Sequence, residues 1–178
     1  MVEIAKTAIV ENNVIIGPGT KIMAGAYISS GTIIGKNCFI GYNTVIRPNV
    51  KIGDGSQIRS LCFIAENVSI GKNCKIIQLS NLCKNCVLED DVFFGTGVLT
   101  YDTKRISHSR NYPPYGQPPY ISRGARVASG VRINPGVTIG ICSSIDAGSI
   151  VTHDTEAYGI YRGTPARKIG EIPEEEQI

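Results

Sequence analysis

The chain has 178 residues, about the size of one ordinary domain. Its 18 lysines and arginines nearly balance 15 aspartates and glutamates. A net charge of +3 argues against nucleic acid and membrane surfaces as partners, because both usually need a concentrated basic patch. No apolar run approaches the roughly 20 residues of a membrane span, and residues 1–10 lack the basic-then-apolar layout of a signal peptide. We therefore expect a cytoplasmic protein.

A six-residue period runs through most of the chain. Every sixth residue from Ile4 to Phe94 is large and apolar, and the pattern resumes in a new register from Ile121 to Val151. Three positions after the large residue there is usually Gly, Asn or Asp, which tolerate positive φ. Four positions after it the residue is small or β-branched. Each hexad therefore predicts one short strand and one left-handed turn, stacked as a solenoid with rungs about 4.8 Å apart.

These columns resemble the hexapeptide-repeat acyltransferases that fold as left-handed β-helices. In that family three hexads make one triangular coil, and the left-handedness is implied by the resemblance. The predicted fold is all-β: a left-handed parallel β-helix with one long loop and a short C-terminal segment. We expect a single domain over residues 1–170, with coils at about 4–98 and 121–156 and a loop at 99–120, followed by an acidic, solvated tail at 171–178.

The six cysteines could indicate a metal site or disulfides. Four of them occupy the small interior column of the repeat: Cys38, Cys62, Cys74 and Cys86. A buried thiol behaves as a small hydrophobe. Cys83 and Cys142 fall at turn positions, so within the Cys83–Cys86 segment one sulfur should point inward and the other outward. We interpret the cysteines as packing residues and expect no metal.

We call the positions three residues after each large apolar residue the turn column. It lacks Gly, Asn or Asp at three positions that are separated by whole coils: Thr7, Leu61 and Leu79. They should stack on one corner of the prism. Local rules are broken most often at functional sites, and Arg59, Ser60 and Gln78 should project outward near this corner. The alternative is that this corner merely uses a different turn type.

Residues 99–120 interrupt the hexads. Long loops inside compact domains are usually functional or disordered, and this one is rich in tyrosine and polar residues. We expect it to line a site for a polar, ring-containing ligand, or to act as an arm that clasps a trimer; the two roles are compatible. Its candidate site residues are Tyr101, Asp102, Lys104, Arg105, His108 and Asn111.

Three segments around this loop resemble the nucleotide-sugar N-acetyltransferases: KIIQ at 75–78, LEDDVFFG at 88–95 and TYD at 100–102. The resemblance implies that Gln78 and Asp102 take part in catalysis. The candidate substrate ligands are Arg59, Ser60, Asn81, Tyr101, Lys104, Arg105 and Asn111. This chain departs from the family pattern at Ile77, where Gln is preferred, and after Gly95, where no His follows. Its acceptor machinery is therefore altered.

Only His108 and His153 are available as a histidine general base. We interpret His153, in the segment VTHD, as a structural surface residue. His108 lies in the interrupting loop and is the candidate base for a hydroxyl acceptor, whereas an amine needs less help. A γ-type carbonic anhydrase on the same solenoid would need three His ligands on zinc, which this chain does not contain.

The segment YRGTPARKIG at 161–170 resembles the signature that closes these acyltransferases. The resemblance implies a coenzyme A groove between two subunits, and hence a homotrimer. Arg167 and Lys168 would meet the phosphates. The backbone that shapes the turn and lines the groove would come from Gly163, Pro165, Ala166, Ala128, Ser129, Gly130 and Ala147.

Together these features predict an acetyl-CoA-dependent N-acetyltransferase that acts on the amino group of a nucleotide-linked amino sugar. Two alternatives stay open. One is an O-acetyltransferase of a sugar or other small acceptor that uses His108. The other is a catalytically silent hexapeptide-repeat scaffold, which the intact closing signature disfavours and Ile77 leaves open.

Overall fold

The computed structural model describes residues 1–177. Short strands alternate with tight corners along nearly the whole chain. The first nine strands are β1 (Glu3–Ile4), β2 (Ile9–Val10), β3 (Ile15–Ile16), β4 (Lys21–Ile22), β5 (Tyr27–Ile28), β6 (Ile33–Ile34), β7 (Phe39–Ile40), β8 (Val45–Ile46) and β9 (Lys51–Ile52). The next eight are β10 (Gln57–Ile58), β11 (Phe63–Ile64), β12 (Ser69–Ile70), β13 (Lys75–Ile76), β14 (Asn81–Leu82), β15 (Val87–Leu88), β16 (Phe93–Phe94) and β17 (Leu99–Thr100).

The C-terminal part contains the remaining elements. They are β18 (Thr103–Arg105), β19 (Tyr115–Gly116), β20 (Tyr120–Ile121), β21 (Arg126–Val127), β22 (Arg132–Ile133), β23 (Thr138–Ile139), β24 (Ser144–Ile145), β25 (Ile150–Val151), β26 (Gly159–Gly163), β27 (Ala166–Glu171) and a 3-10 helix at Glu174–Glu176. No helix within residues 1–177 is long and apolar enough to cross a membrane.

Each strand of the coils pairs in parallel with its counterpart one coil away, so that Ile22 lies between Ile4 and Ile40. The pairs form three sheets, which are the three faces of a prism. The first face contains β1, the second β2 and the third β3. The predicted left-handed parallel β-helix is confirmed. We call the corner between the first and second faces the first corner, that between the second and third the second corner, and the remaining one the third corner.

The interior column of large apolar residues is buried from Ile22 onward, whereas Ile4 in the first coil is 49% exposed. The difference arises because, within residues 1–177, Ile4 has a neighbouring coil on one side only. The predicted left-handed turns are present, for example at Gly19 and Asn37. Leu61 and Leu79 adopt the same conformation, with φ of 60° and 64°. A different turn type is therefore excluded at these two positions.

The loop is shorter than predicted at both ends. Leu99–Thr100 pairs with Arg132–Ile133, and Tyr120–Ile121 pairs with Val87–Leu88, so both flanks belong to the coils. The excursion proper is 101–119, and it replaces one second corner. Part of it is a two-stranded antiparallel hairpin formed by β18 and β19.

The C-terminal segment folds back on the first face, where β26 and β27 form an antiparallel hairpin beside β24. The prediction of a solvated tail is wrong for Ile172, whereas Glu176 is exposed but bonded to the coils. Ile172 is only 4% exposed, and Glu176 Oε2 accepts a hydrogen bond from Arg126 Nη1 at 2.7 Å. Ile178, the last residue of the predicted tail, lies outside the described residues.

Candidate functional site

The first corner brings together residues from distant parts of the sequence. Arg59, Ser60 and Gln78 lie in its middle coils, and Gly95–Val98 follows them. Four residues predicted to line the coenzyme groove extend the same corner in the later coils: Ala128, Ser129, Gly130 and Ala147. Hydrogen bonds from Gly97 N to Gln78 O and from Gly130 N to Thr96 O join these coils. The predicted acceptor and donor residues of this corner therefore form one continuous edge.

Three glycines of the first corner leave its backbone uncovered. Gly97, Gly130 and Gly148 all have positive φ, between 68° and 72°. A Cβ built on Gly97 or Gly148 would meet nothing within 4 Å, and one on Gly130 would meet only Gly148, at 3.9 Å. In contrast, a Cβ on Gly19 would lie 2.1 Å from the Asn37 side chain of the next coil. The three residues form an open strip of exposed backbone that we call the glycine strip.

The closing signature lies at the end of this strip. Gly163 N donates a hydrogen bond to Ser149 Oγ at 3.0 Å, and Ser149 follows Gly148 in the first corner. Gly163 has a φ of 104°, and the Thr164–Pro165 peptide bond is cis. The hairpin turn at 163–166 thus abuts the glycine strip, next to which Gly163, Pro165 and Ala166 were predicted to lie.

The basic residues of the signature differ in their partners. Arg167 is exposed, and its Nη1 donates to Ala166 O at 3.0 Å. Lys168 Nζ instead contacts Glu156 Oε2 at 2.7 Å and Glu171 Oε1 at 3.0 Å. Hydrogen bonds to these two carboxylates raise the pKa of Lys168 well above its ordinary value. The positive charge of Lys168 is therefore already paired with two carboxylates, which weakens its predicted role as a phosphate ligand. Arg167, in contrast, is accessible.

Arg162 is a basic residue that the sequence analysis did not select. Its Nε donates to Asp146 Oδ2 at 2.6 Å, and Asp146 belongs to the first corner. In the hairpin Arg162 pairs directly with Arg167. Two exposed guanidinium groups thus lie on the hairpin next to the glycine strip.

A cleft of about 570 Å³ lies on the first corner, and its last lining coil, at 77–79, directly precedes the coil of Gly97; we call it the corner cleft. It is lined by Phe39, Tyr42, Arg59, Ser60, Leu61, Ile77, Gln78 and Leu79. The Arg59 guanidinium lies over the Phe39 ring, 5.2 Å from its centroid. The left-handed residues Leu61 and Leu79 are 54% and 55% exposed. The cleft therefore combines an apolar surface with a fixed cation and the Gln78 amide.

A second cleft, of about 970 Å³, lies between the excursion and the second corner, and we call it the excursion cleft. It is lined by Tyr101, Asp102, Thr103, Lys104, Ile106, Asn134, Pro135, Gly136, Val137, Thr152, His153 and Asp154. Three of the predicted loop residues, Tyr101, Asp102 and Lys104, are among them. His153, which we interpreted as structural, shares this cleft, and its Nδ1 lies 2.9 Å from Thr152 Oγ1.

The other predicted loop residues lie away from both clefts. The Arg105 guanidinium stacks on the Tyr112 ring at 3.7 Å from its centroid, so Arg105 supports the loop conformation. His108 and Asn111 are exposed in the outer part of the excursion and line neither cleft. Asn81 projects from the second face, and its carbonyl accepts a hydrogen bond from Thr100 Oγ1 at 3.3 Å.

One chain does not bring all the predicted catalytic residues together. Gln78 is on the first corner and Asp102 on the second, and the second face lies between them. The outward side chains of that face are largely apolar: Ile9, Tyr27, Val45, Phe63 and Leu99. Phe63 is 41% exposed. The predicted residues of one chain therefore do not form a single cluster.

Residues that sequence reasoning missed have a recognisable signal. His153, which we interpreted as structural, belongs to the corner from which the excursion leaves, and Gly97 and Gly148, which we did not select, share one turn column with the predicted Gly130. Counting whole coils across the interruption would have aligned both sets. Within residues 1–177 no three His, Cys, Asp or Glu side chains lie close enough to hold a metal ion.

Comparison with known proteins supports the repeat assignment. The family model described as bacterial transferase hexapeptide (six repeats) matches residues 13–48 and 31–66. It confirms, for these residues, the resemblance that the sequence columns predict. A galactoside O-acetyltransferase of Escherichia coli K12 is 46% identical over 63 residues, which are 35% of this chain and 31% of that protein. The chain thus matches about a third of the length of this curated relative.

Solved structures extend the likeness to nearly the whole fold. The polySia-specific acetyltransferase NeuO superimposes with a TM-score of 0.74 at 20% identity, over 96% of this chain and 86% of its own. A hexapeptide-repeat acetyltransferase of Vibrio cholerae, complexed with acetyl coenzyme A, gives a TM-score of 0.56 at 20% identity, over 81% of this chain and 72% of its own. At these identities the likeness establishes the left-handed β-helix alone.

Proposed function

We propose that this hexapeptide-repeat chain is an acetyl-CoA-dependent acetyltransferase whose acceptor is a sugar. The glycine strip is the observation that carries the proposal. Three stacked residues without side chains leave an exposed backbone surface, which a slender ligand can approach closely. The pantetheine arm of coenzyme A has this shape. An adaptation to a ligand explains why the space beside these glycines is open, whereas a Cβ at Gly19 or Gly25 would meet an Asn side chain.

The charged end of the donor would lie at the hairpin. Arg167 and Arg162 are exposed on adjacent strands, and guanidinium groups bind phosphate with paired hydrogen bonds. Arg162 would have to exchange Asp146 for a phosphate oxygen. The structural relative from Vibrio cholerae, which is complexed with acetyl coenzyme A, supports this donor. No metal is needed for the reaction.

We propose further that the site is completed by a second copy in a homotrimer. Gln78 and Asp102 flank the same face of one chain, so the excursion of one chain could reach the first corner of its neighbour across packed second faces. The outward apolar side chains of that face support its burial in an assembly. In a closed threefold arrangement the second face of each of the three chains would be buried in the same way.

The acceptor we favour is the amino group of a nucleotide-linked sugar, on the strength of the segments at 75–78, 88–95 and 100–102. The neutral amine would attack the thioester carbonyl, and the thiolate would leave. The Gln78 amide could donate to the developing oxyanion. The Asp102 carboxylate could hold the amine in position and accept its proton.

An O-acetyltransferase is the second candidate. The 46% identical relative is a galactoside O-acetyltransferase, which favours a hydroxyl acceptor. A hydroxyl needs a stronger general base than an amine does, and His108 is the candidate that sequence analysis selects. His153 is an alternative, because it shares the excursion cleft with Asp102.

Calorimetry with acetyl-CoA tests the donor site. We expect a Kd on the order of 10 to 100 micromolar for the wild type. Arg167→Ala should weaken binding by about tenfold, because a charge-assisted hydrogen bond is lost. Lys51→Ala, which removes an exposed cation from the third face, is the matched control and should bind normally. No binding at roughly 1 mM coenzyme would contradict the proposal and favour a catalytically silent hexapeptide-repeat scaffold.

A further inference from the structure

Cys83 and Cys86 enclose a tight turn of the second corner, one coil away from the base of the excursion. Cys86 N donates a hydrogen bond to Cys83 O at 3.2 Å across the turn, in which Asn85 has a φ of 59°. The first and fourth residues of a β-turn have Cα atoms within about 7 Å. Most disulfides span Cα separations of roughly 4.4 to 6.8 Å, so the backbone of this turn is compatible with a cross-link.

Both side chains also pack at the core. Cys86 is completely buried, and Cys83 is partly buried and packs against the same core. A hydrogen bond from the Cys86 thiol lowers the pKa of Cys83, and the same contact raises the pKa of Cys86. The prediction that one sulfur points inward and the other outward is therefore wrong. The strict alternation of a strand does not apply where the chain turns a corner.

The three other thiols of the interior column have different partners. Cys38, Cys62 and Cys74 donate to main-chain carbonyl oxygens of the next coil, at 3.1 to 3.3 Å. Burial raises the pKa of each of them. Thiols of this kind react slowly, because the thiolate is the nucleophile. Cys83 differs in having both partial exposure and a neighbouring thiol.

We propose that Cys83 and Cys86 form a redox-active dithiol that a low-molecular-weight disulfide oxidises to an internal disulfide. The Cys83 thiolate attacks one sulfur of the small disulfide, a mixed disulfide forms, and the first small thiol leaves with the proton of Cys83. The Cys86 thiol then loses its proton as its sulfur attacks the Cys83 sulfur, and the second small thiolate leaves and takes up that proton. The protein loses two hydrogen atoms, and the small disulfide is reduced to two thiols.

Oxidation would act at the base of the excursion. Thr100 Oγ1 accepts a hydrogen bond from Cys83 N at 2.8 Å, and Thr100 is the last coil residue before the excursion begins. Lys84 and Asn85, between the two cysteines, line a cleft with Asp102 and Thr103. A disulfide that tightens this turn would disturb the hydrogen bond to Thr100. This inference does not depend on the proposed acetyltransferase activity.

The test is to incubate the reduced full-length protein with oxidised glutathione, alkylate the free thiols and measure intact and peptide masses. We expect a loss of two hydrogen atoms, located in the peptide that contains both cysteines. Hydrogen exchange at Thr100–Thr103 should differ between the reduced and oxidised forms. A stable glutathione adduct on Cys83, or no reaction at these residues, would overturn the dithiol. Unchanged exchange would overturn the link to the excursion.

The repeat supplies variants that are expected to fold. One coil earlier Ala65 occupies the position of Cys83, and Val68 that of Cys86. Cys83→Ala and Cys86→Val therefore copy side chains that this corner already accommodates, and each should abolish the internal disulfide. Cys62→Ser is the matched control, because Thr44 and Ser80 flank it in its own column. It should oxidise at Cys83 and Cys86 as the wild type does.

Discussion

Gln78 and Asp102 lie on two different corners of the same prism, separated by the width of the second face. The resemblance to the nucleotide-sugar N-acetyltransferases leads us to expect both residues in the acceptor site. If both serve one reaction, they must come from two chains, and this requirement can be tested directly.

Mixing two inactive variants should restore activity. We expect Gln78→Ala and Asp102→Asn each to lower acetyl transfer strongly. Trimers assembled from equal amounts of both should regain about one quarter of the wild-type activity, because a site drawing Gln78 and Asp102 from two random chains is intact once in four. The measurement is the acetylation rate after co-refolding. Mixtures as inactive as their components would show that the two residues do not share a site across chains.

Filling the glycine strip should block the coenzyme. Gly148→Asn keeps a residue that tolerates a φ of 71°, but it places a side chain on the glycine strip. We expect acetyl-CoA affinity to fall by at least about tenfold, or ~1.4 kcal/mol, with little loss of stability. Calorimetry and thermal unfolding measure the two effects.

Gly31→Asn is the control for this variant. It introduces the same side chain at a left-handed turn of the second corner, where Asn49, Asn67 and Asn85 already form a hydrogen-bonded column. A Cβ at Gly31 would lie 2.3 Å from Asn49 Oδ1, so the Asn49 side chain must rotate for the column to be extended, and coenzyme binding should stay unchanged. Equal losses of affinity in the two variants would mean that the glycine strip has no special role.

Relieving the strain at the corner cleft should stabilise the protein. A left-handed conformation costs most residues roughly 1 to 2 kcal/mol and Asn much less, and Leu79 is more than half exposed. Leu79→Asn should therefore raise the free energy of unfolding by about 1 kcal/mol. Urea unfolding at fixed protein concentration checks this.

The reverse exchange, Asn43→Leu in the same turn column, should lower the free energy of unfolding by a similar amount. If Leu79 also contacts the acceptor, Leu79→Asn should raise the acceptor KM without changing acetyl-CoA affinity. A destabilised Leu79→Asn protein would show that the leucine is held by packing instead.

Glu11 should contribute a pH-dependent part of the stability. Its carboxylate accepts hydrogen bonds from the Tyr27 hydroxyl and from Ser30 N, and these bonds lower the pKa of Glu11 below its ordinary value. The contribution is present above the unfolded-state pKa and disappears as the pH falls through the lower, folded-state value. Unfolding curves from pH 7 to pH 3, spanning the ordinary Glu pKa of about 4.3, should show a weaker dependence for Glu11→Gln. Identical slopes would refute the role of this carboxylate.

The fold was predictable because the period is local and repeated. The interior column from Ile22 to Phe94 and the turns at Gly19 and Asn37 follow from side-chain size and φ preference alone. The site was only partly predictable, since its decisive contacts are not periodic. The pairing of Lys168 with Glu156, and the stacking of Arg105 on Tyr112, depend on segments that leave the repeat.

The excursion replaces one corner, and both of its flanks, Leu99–Thr100 and Tyr120–Ile121, are strands held in register by the coils on either side. The scaffold therefore does not depend on the composition of the inserted segment, only on its two anchoring strands. Segments of other lengths could be grafted between the same anchors. Ligand recognition by the inserted segment could therefore diversify, in evolution or in the laboratory, while the coils continue to determine folding.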